Sequence, residues 1–159
     1  MPAGSRSAPA FQPSLKGRAL RLLSQREHSR KELERKLATH EETPGDLHKA
    51  LDELQAKGFI NDERAAESLL HRRAARLGMG RLQQELQAKG LDAALVTQAL
   101  ERLKGTEIDR AREVWRRKFD VPPRDAAERA KQSRFLAARG FGGEVIRKVL
   151  ARGAGQDDE

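Results

Sequence analysis

The sequence predicts an all-α protein of tandem three-helix repeats, with about nine helices arranged in an elongated rod. Three stretches align without a gap and carry apolar or small residues at fixed offsets from a leading leucine. No segment alternates polar and apolar residues as a half-buried strand does, so we expect no sheet. One such unit cannot bury its own apolar face, and neighbouring units therefore stack into an array. The repeated positions are Leu37, Leu47, Ala50 and Leu51, then Leu86, Val96, Ala99 and Leu100, then Leu136, Ile146, Val149 and Leu150.

Glycines mark predicted helix ends in all three repeats, at Gly58, Gly90 and Gly140. Glycine readily adopts the left-handed conformation that closes a helix, and an apolar residue often follows it back into the core. In the second and third repeats a basic residue precedes the glycine, Lys89 before Gly90 and Arg139 before Gly140. The residues that we expect to return to the core are Phe59 and Ile60, Leu91, and Phe141.

The first repeat is predicted over residues 15–60. Ser29 caps its second helix, and Glu32 occupies the position that completes a capping box. A polar turn at residues 43–46 separates the second helix from the third. The apolar positions at helical spacing are Leu15, Ala19, Leu22 and Leu23, then Leu33 and Leu37, then Leu47, Ala50, Leu51 and Leu54.

The second repeat is predicted over residues 61–104, with a fourth helix that runs from Glu63 to about Leu77. Arg73 falls near the middle of that helix's apolar stripe. Such a residue is either a snorkelling or internally paired side chain, or a cation that faces a binding groove. The residues that begin or interrupt helices are Asn61 or Asp62, the glycines Gly78 and Gly80, and Asp92.

The third repeat is predicted over residues 105–152, with helices at 107–119, 126–139 and 144–152 and a proline-containing loop at 121–124. The segments outside the repeats are predicted to be flexible tails, because neither contains enough apolar residues to fold. They are residues 1–14 and the acidic residues 153–159.

Composition argues against an enzyme or a metalloprotein. The chain of 159 residues has no cysteine, and its four histidines do not combine with carboxylates at a metal-ligand spacing. We therefore expect no catalytic residues, no metal and no cofactor. There is no apolar run of bilayer length and no apolar centre of a secretory signal near the start, which predicts a cytoplasmic protein. The residues read as surface or capping histidines are His28, His40, His48 and His71.

The charge pattern points to an anionic partner, although solubility alone also explains it. The net charge is +8 and the isoelectric point is about 10.3. Residues 1–40 carry nine basic and three acidic side chains, and residues 104–152 carry fourteen and seven, whereas residues 41–59 are acidic. Few aromatic residues lie among the cations, which disfavours a base-stacking surface. The aromatic residues there are read as core: Trp115, Phe119, Phe135 and Phe141.

Four motifs in this order and spacing resemble the RecX family of bacterial regulatory proteins, over roughly residues 17–150. They are ALRLLSQREHSRKELERKL at 19–37, GFINDER at 58–64, RLQQELQAKGL at 81–91, and RKF at 117–119 followed by KxxRFLxxRGF at 131–141. The resemblance implies tandem three-helix repeats in a curved rod that lodges in the groove of the RecA filament on single-stranded DNA. It further implies a cofactor-free modulator, usually an inhibitor, of RecA in recombination and DNA repair.

Basic residues of the second and third repeats are the candidate contacts to RecA or DNA. The fourth helix departs from the family pattern, since Ala65, Leu70 and Leu77 stand where aromatic residues are common and Arg76 replaces the first glycine of the following turn. The candidates are Arg72, Arg73, Arg76, Arg81 and Lys89, then Lys131, Arg134, Arg139, Arg147 and Lys148.

Two other functions remain open at this point. The chain could bind single- or double-stranded DNA directly and affect RecA only by competition, or it could be a helical scaffold for another acidic protein. A monomer is expected, and exposed repeat ends leave self-association open.

Overall fold

The computed structural model describes residues 12–153, and the side chains of residues 12–151, and this part of the chain is helical without strands. The prediction of an all-α fold is confirmed. No described helix is long and apolar enough to cross a membrane. Most of the two predicted tails, residues 1–11 and 154–159, lies outside the described residues. The helices are α1 (Leu15–Gln25), α2 (Arg30–Leu37), α3 (Asp46–Ala56), α4 (Asp62–Arg73), α5 (Met79–Ala88), α6 (Ala93–Glu101), α7 (Glu107–Lys118), α8 (Ala126–Ala138) and α9 (Gly143–Gly153).

Each set of three helices has its own apolar core, which confirms the repeat pattern read from the sequence. Leu33, Leu82 and Leu136 are completely buried in the cores of α1–α3, α4–α6 and α7–α9, respectively. The repeated positions are buried in all three copies except Leu100, which is partly buried against its core. The chain divides into two compact units, Met1–Asn61 and Asp62–Glu159, so the second and third repeats belong to one unit.

The predicted capping box of α2 and the predicted glycine turn after α8 are present. Ser29 and Glu32 form the capping box: Ser29 Oγ accepts from the Glu32 amide at 3.1 Å, and Glu32 Oε1 accepts from the Ser29 amide at 3.0 Å. Gly140 has a φ of 90°, a conformation that is strained for residues with a Cβ. The Phe141 amide then donates to the Leu136 carbonyl at 3.2 Å, and Phe141 enters the core as predicted.

Phe59 does not return to the core, and that prediction is wrong. Its side chain is 48% exposed, whereas Ile60 is 2% exposed. The Phe59 amide closes the end of α3 by donating to the Leu54 carbonyl at 2.9 Å. Phe59 lies in the bend after α3 with its side chain towards solvent, and Ile60 is the residue that enters the core of the first repeat.

His28 is buried, and its interpretation as a surface histidine is wrong. The ring is 1% exposed, with Nδ1 3.0 Å from the Arg26 carbonyl and Nε2 3.2 Å from Lys36 Nζ. Because a carbonyl only accepts, Nδ1 carries the proton and Nε2 accepts from Lys36. Burial lowers the pKa of His28, and the charges of Arg26 and Lys36 lower it further against the opposing effects of Glu32 and the carbonyl bond. The other histidines, as predicted, are exposed: His40, His48 and His71.

Helix α4 ends at Arg73, four residues before the predicted end at Leu77. The chain turns at residues 74–76, where the Arg76 amide donates to the Arg73 carbonyl at 3.0 Å. Arg110 of α7 holds the turn that follows this end, because its guanidinium donates to the carbonyls of Ala74 and Leu77. A side chain from the third repeat therefore satisfies carbonyls that have no donor within the helix.

Candidate interaction surface

The second and third repeats meet backbone to backbone at two turns. The Gly78 amide donates to the Arg139 carbonyl at 2.8 Å, and the Gly80 amide donates to the Gly140 carbonyl at 3.1 Å. A Cβ on Gly78 would collide with the backbone of Gly140 and Phe141. The sequence correctly predicted a break between helices at Gly78, but the predicted break at Gly80 is wrong, because Gly80 lies inside α5. The sequence did not reveal the contact between the two turns. Two glycines so close together at a helix start were the available signal, because glycine permits close backbone approach.

Two charged side chains at the start of α7 join the same turns. Glu107 accepts from the amide of Met79 at 3.2 Å and from that of Gly142 at 3.5 Å. Arg110 is half-buried beside it, and desolvation lowers the pKa of its guanidinium while Glu107 opposes that shift. Together with the turns, these bonds fix the third repeat against the second.

A groove of about 370 Å³ lies beside this junction. The turn after α4, the last residues of α7 and the last residues of α8 form its walls. Four of the lining residues are basic and none is acidic. The lining residues are Ala75, Arg76, Val114, Arg117, Lys118, Phe135 and Arg139.

Two cations lie over the aromatic ring in the groove. The Arg139 guanidinium lies over the Phe135 ring, 4.9 Å from its centroid, and Lys118 Nζ lies 5.5 Å from the same point. The Phe119 ring meets Phe135 edge-on with 5.3 Å between centroids. In the part of the chain whose side chains are described, neither Lys118 nor Arg139 pairs with a carboxylate, and the same holds for Arg76.

Arg117 is the lining cation with a carboxylate partner. Its Nε lies 3.2 Å from an oxygen of Glu113, which Arg116 also binds at 2.7 Å. Hydrogen bonds from Arg116 and then Arg117 lower the pKa of Glu113 to about 2. The carboxylate therefore stays ionised and offsets part of the local positive charge.

The structure brings two of the sequence-predicted contacts, Arg76 and Arg139, into this groove. Arg73 instead makes a double hydrogen bond to Glu85, at 2.9 and 3.1 Å, which agrees with the internally paired alternative for that residue. Arg81 donates to the Ala138 carbonyl at 3.1 Å and so contributes to the junction between repeats.

The remaining predicted contacts lie outside the groove. Arg72 is exposed and donates to the Ser68 carbonyl at 3.3 Å, and Lys89 follows the last residue of α5. Lys131 lines a separate pocket of about 250 Å³. The predicted contact residues that are exposed and make no hydrogen bond or ion pair in the described structure are Arg134, Arg147 and Lys148.

Sequence reasoning missed Arg117, Lys118 and Phe135 as groove residues. Trp115 and Phe141 are buried, as predicted for core aromatic residues, and Trp115 Nε1 donates to the buried Gln132 at 2.8 Å. The two other aromatic residues, Phe119 and Phe135, are only half-buried. The sequence did place Phe135 among basic residues, but periodicity alone did not show that its ring borders a surface groove.

The described residues contain no group of histidines and carboxylates arranged to hold a metal ion. The arrangement of side chains in the groove is suited to binding: fixed cations beside apolar carbon, on two repeats that backbone bonds hold together.

Comparison with known proteins identifies the family. Models of the first, second and third three-helix domains of RecX match residues 16–54, 61–100 and 106–150. A regulatory protein RecX from Leptothrix cholodnii is 54% identical over 87% of this chain and 88% of the relative. The protein of that name from Ralstonia nicotianae is 47% identical over 86% of each chain.

Solved structures agree in fold. The crystal structure of RecX from Lactobacillus salivarius superposes with a TM-score of 0.72 at 21% identity, covering 88% of this chain and 94% of that one. A second crystal structure, of a regulatory protein RecX, gives a TM-score of 0.70 at 21% identity and covers 86% of this chain and 71% of the other. With three tandem three-helix domains and close relatives over most of its length, this chain belongs to the RecX family of regulatory proteins.

Proposed function

We propose that this protein is a non-enzymatic inhibitor of the RecA recombinase. It binds in the groove of the RecA filament on single-stranded DNA and limits strand exchange, ATP hydrolysis or filament growth. The observation that carries the proposal is the cationic groove at the junction of the second and third repeats, in a chain of the RecX family. We further propose a cytoplasmic monomer that needs no cofactor, with repeats at 15–60, 61–104 and 105–152.

Electrostatic attraction and repetition both favour a filament as the target. A RecA filament is expected to present acidic protein surface and phosphate groups along one continuous groove. Basic faces on successive repeats could contact several subunits at once, which raises the effective concentration at each further contact. Attraction between opposite charges also speeds the encounter and makes it sensitive to salt.

Charge reversal at the predicted contacts tests the proposal. We expect the pair Arg72→Glu with Arg76→Glu to weaken inhibition of RecA strand exchange, and likewise Arg139→Glu with Arg147→Glu. Circular dichroism and the melting temperature should stay near wild type, because these side chains are largely exposed or line an open groove.

A matched control is the pair Lys104→Glu with Arg129→Glu, which carries the same charge change on exposed residues outside the groove. Unchanged inhibition by both test pairs, or equal loss in the control pair, would remove these faces from the mechanism.

The net charge of +8 favours a second function, direct binding to DNA with competition as the only effect on RecA. Affinity for bare single-stranded DNA and for a preformed filament can be titrated against salt under the same conditions. Tighter binding to the filament supports the RecA-directed function, and equal affinity for both supports competition.

A further inference from the structure

The groove at the junction of the second and third repeats is preformed. The second repeat contributes one wall, which is the turn after α4. The third repeat contributes the other walls, from α7 and α8. The bonds of Gly78 and Gly80 to the α8–α9 turn, and those of Arg110 to the turn after α4, hold these walls at fixed separation. A ligand that enters the groove therefore meets cations whose supporting backbone is already ordered, which reduces the entropy cost of binding.

The lining combines charge with apolar surface. Arg76, Lys118 and Arg139 have no carboxylate partner among the described side chains. The same lining includes the apolar carbons of Ala75, Val114 and Phe135. A ligand that complements this lining supplies negative charge together with an apolar group.

Arg139 and Lys118 already lie over the Phe135 ring and Phe119 meets it edge-on, so stacking of a nucleobase would compete with contacts that the ring already makes. An aliphatic or aromatic side chain flanked by carboxylates could instead pack beside the ring and pair with the same cations.

We infer that this groove binds an acidic polypeptide segment with a single apolar side chain, and that the segment belongs to the partner protein. The inference rests on the proposed function, which supplies a protein partner. It assigns the groove to protein, and leaves contact with DNA to basic residues elsewhere on the chain.

The test uses the full-length chain and three fluorescent probes. One probe is a short peptide in which Asp and Glu residues flank a single Leu, another has Ser in place of that Leu, and the third is oligothymidine. Ala75→Glu places a carboxylate in the groove, and Ala130→Glu makes the same change on the exposed surface of α8. Because both alanines are exposed, we expect both variants to keep the wild-type melting temperature.

We expect the Leu peptide to bind the wild type more tightly than the Ser peptide does. Ala75→Glu should weaken binding of the Leu peptide about tenfold, or about 1.4 kcal/mol, and Ala130→Glu should leave it nearly unchanged. Oligothymidine should respond equally to the two variants. The inference is overturned if the Leu peptide does not bind, or if both variants weaken its binding equally. It is also overturned if Ala75→Glu weakens binding of oligothymidine and Ala130→Glu does not.

Measuring inhibition of RecA by the wild-type protein in parallel separates two failures. Inhibition without groove-specific peptide binding would overturn this inference and leave the proposed function standing. Absence of inhibition would overturn the proposed function itself, whatever the peptide does.

Discussion

Replacing Gly78 with alanine should destabilise the junction between the second and third repeats. Gly78 has a φ of −81° and a ψ of 172°, an extended conformation that alanine adopts without strain. The cost therefore comes from the added methyl group alone, which would collide with the backbone of Gly140 and Phe141. Backbone atoms cannot rotate away as a flexible side chain can, so the two turns must separate.

The size of the effect follows from the contacts that are lost. Separation of the turns weakens the two backbone hydrogen bonds made by Gly78 and Gly80, at about 1 kcal/mol each. Overpacking adds about 1–3 kcal/mol. We therefore expect Gly78→Ala to lower the free energy of unfolding of the unit that contains it by about 3–5 kcal/mol.

Gly80→Ala is the matched control at the same junction. Its Cβ would lie 3.2 Å from the Gly140 carbonyl oxygen, a tight but tolerable contact, and alanine favours the helix in which it lies. The net change should stay within about 1 kcal/mol. Urea denaturation followed by circular dichroism measures both variants, and amide exchange reports the bond from Gly80. Equal stability of the two variants would refute the close backbone contact.

Three further predictions concern stability. Leu86→Ala and Leu136→Ala should each cost about 2–5 kcal/mol in urea denaturation, because both side chains are completely buried at equivalent positions of two repeats. Arg110→Met should cost about 2–4 kcal/mol in the same assay, because the Ala74 and Leu77 carbonyls lose their donor. Stability should fall as the pH is lowered below about 6.5, and His28→Gln should reduce that fall.

The sign for His28 follows from its lowered pKa in the folded state. Between that pKa and the value near 6.5 of the unfolded chain, the unfolded state binds more protons, and protons therefore favour unfolding. The contribution of neutral His28 to the free energy of unfolding is fully present above the pKa of the unfolded chain, and it is lost as the pH falls below that value. The same pH profile in His28→Gln and wild type would contradict the assignment.

The exposed residues Leu20 and Arg129 provide controls for the other substitutions. Leu20→Ala and Arg129→Met should each change stability by less than about 0.5 kcal/mol. A cost below about 0.5 kcal/mol at Leu86 or Leu136 would contradict the repeat alignment. A cost at Arg110 no larger than that at Arg129 would contradict its role in holding the turn after α4.

The sequence predicted the features of the fold that depend on the pattern of nearby residues. Helical spacing located the three cores, as the burial of Leu37, Leu86 and Leu136 shows, and local chemistry located the capping box at Ser29. The turn at Gly140 followed from the conformational range of glycine. Each of these features is determined by residues that are close together in the sequence, and the spacing of apolar residues recurs in every repeat.

Features that depend on contacts between distant segments could not be predicted in this way. The turn after α4 is held by Arg110 from the third repeat, and the burial of His28 depends on its packing in the folded repeat. The groove draws its walls from three helices, so Arg117 and Lys118 looked like any other cations on a solvated helix face. Their meeting with Arg76 requires the junction that Gly78 forms, and periodicity contains no information about it.

The most direct test of the account is the rate of DNA-dependent ATP hydrolysis by a preassembled RecA filament. The protein is added below one copy per RecA subunit, with excess single-stranded DNA to control for competition, and Ala75→Glu is compared with Ala130→Glu. The account predicts inhibition at substoichiometric levels that Ala75→Glu weakens and Ala130→Glu retains. An effect that appears only when the DNA itself is saturated, equal in both variants, would contradict it.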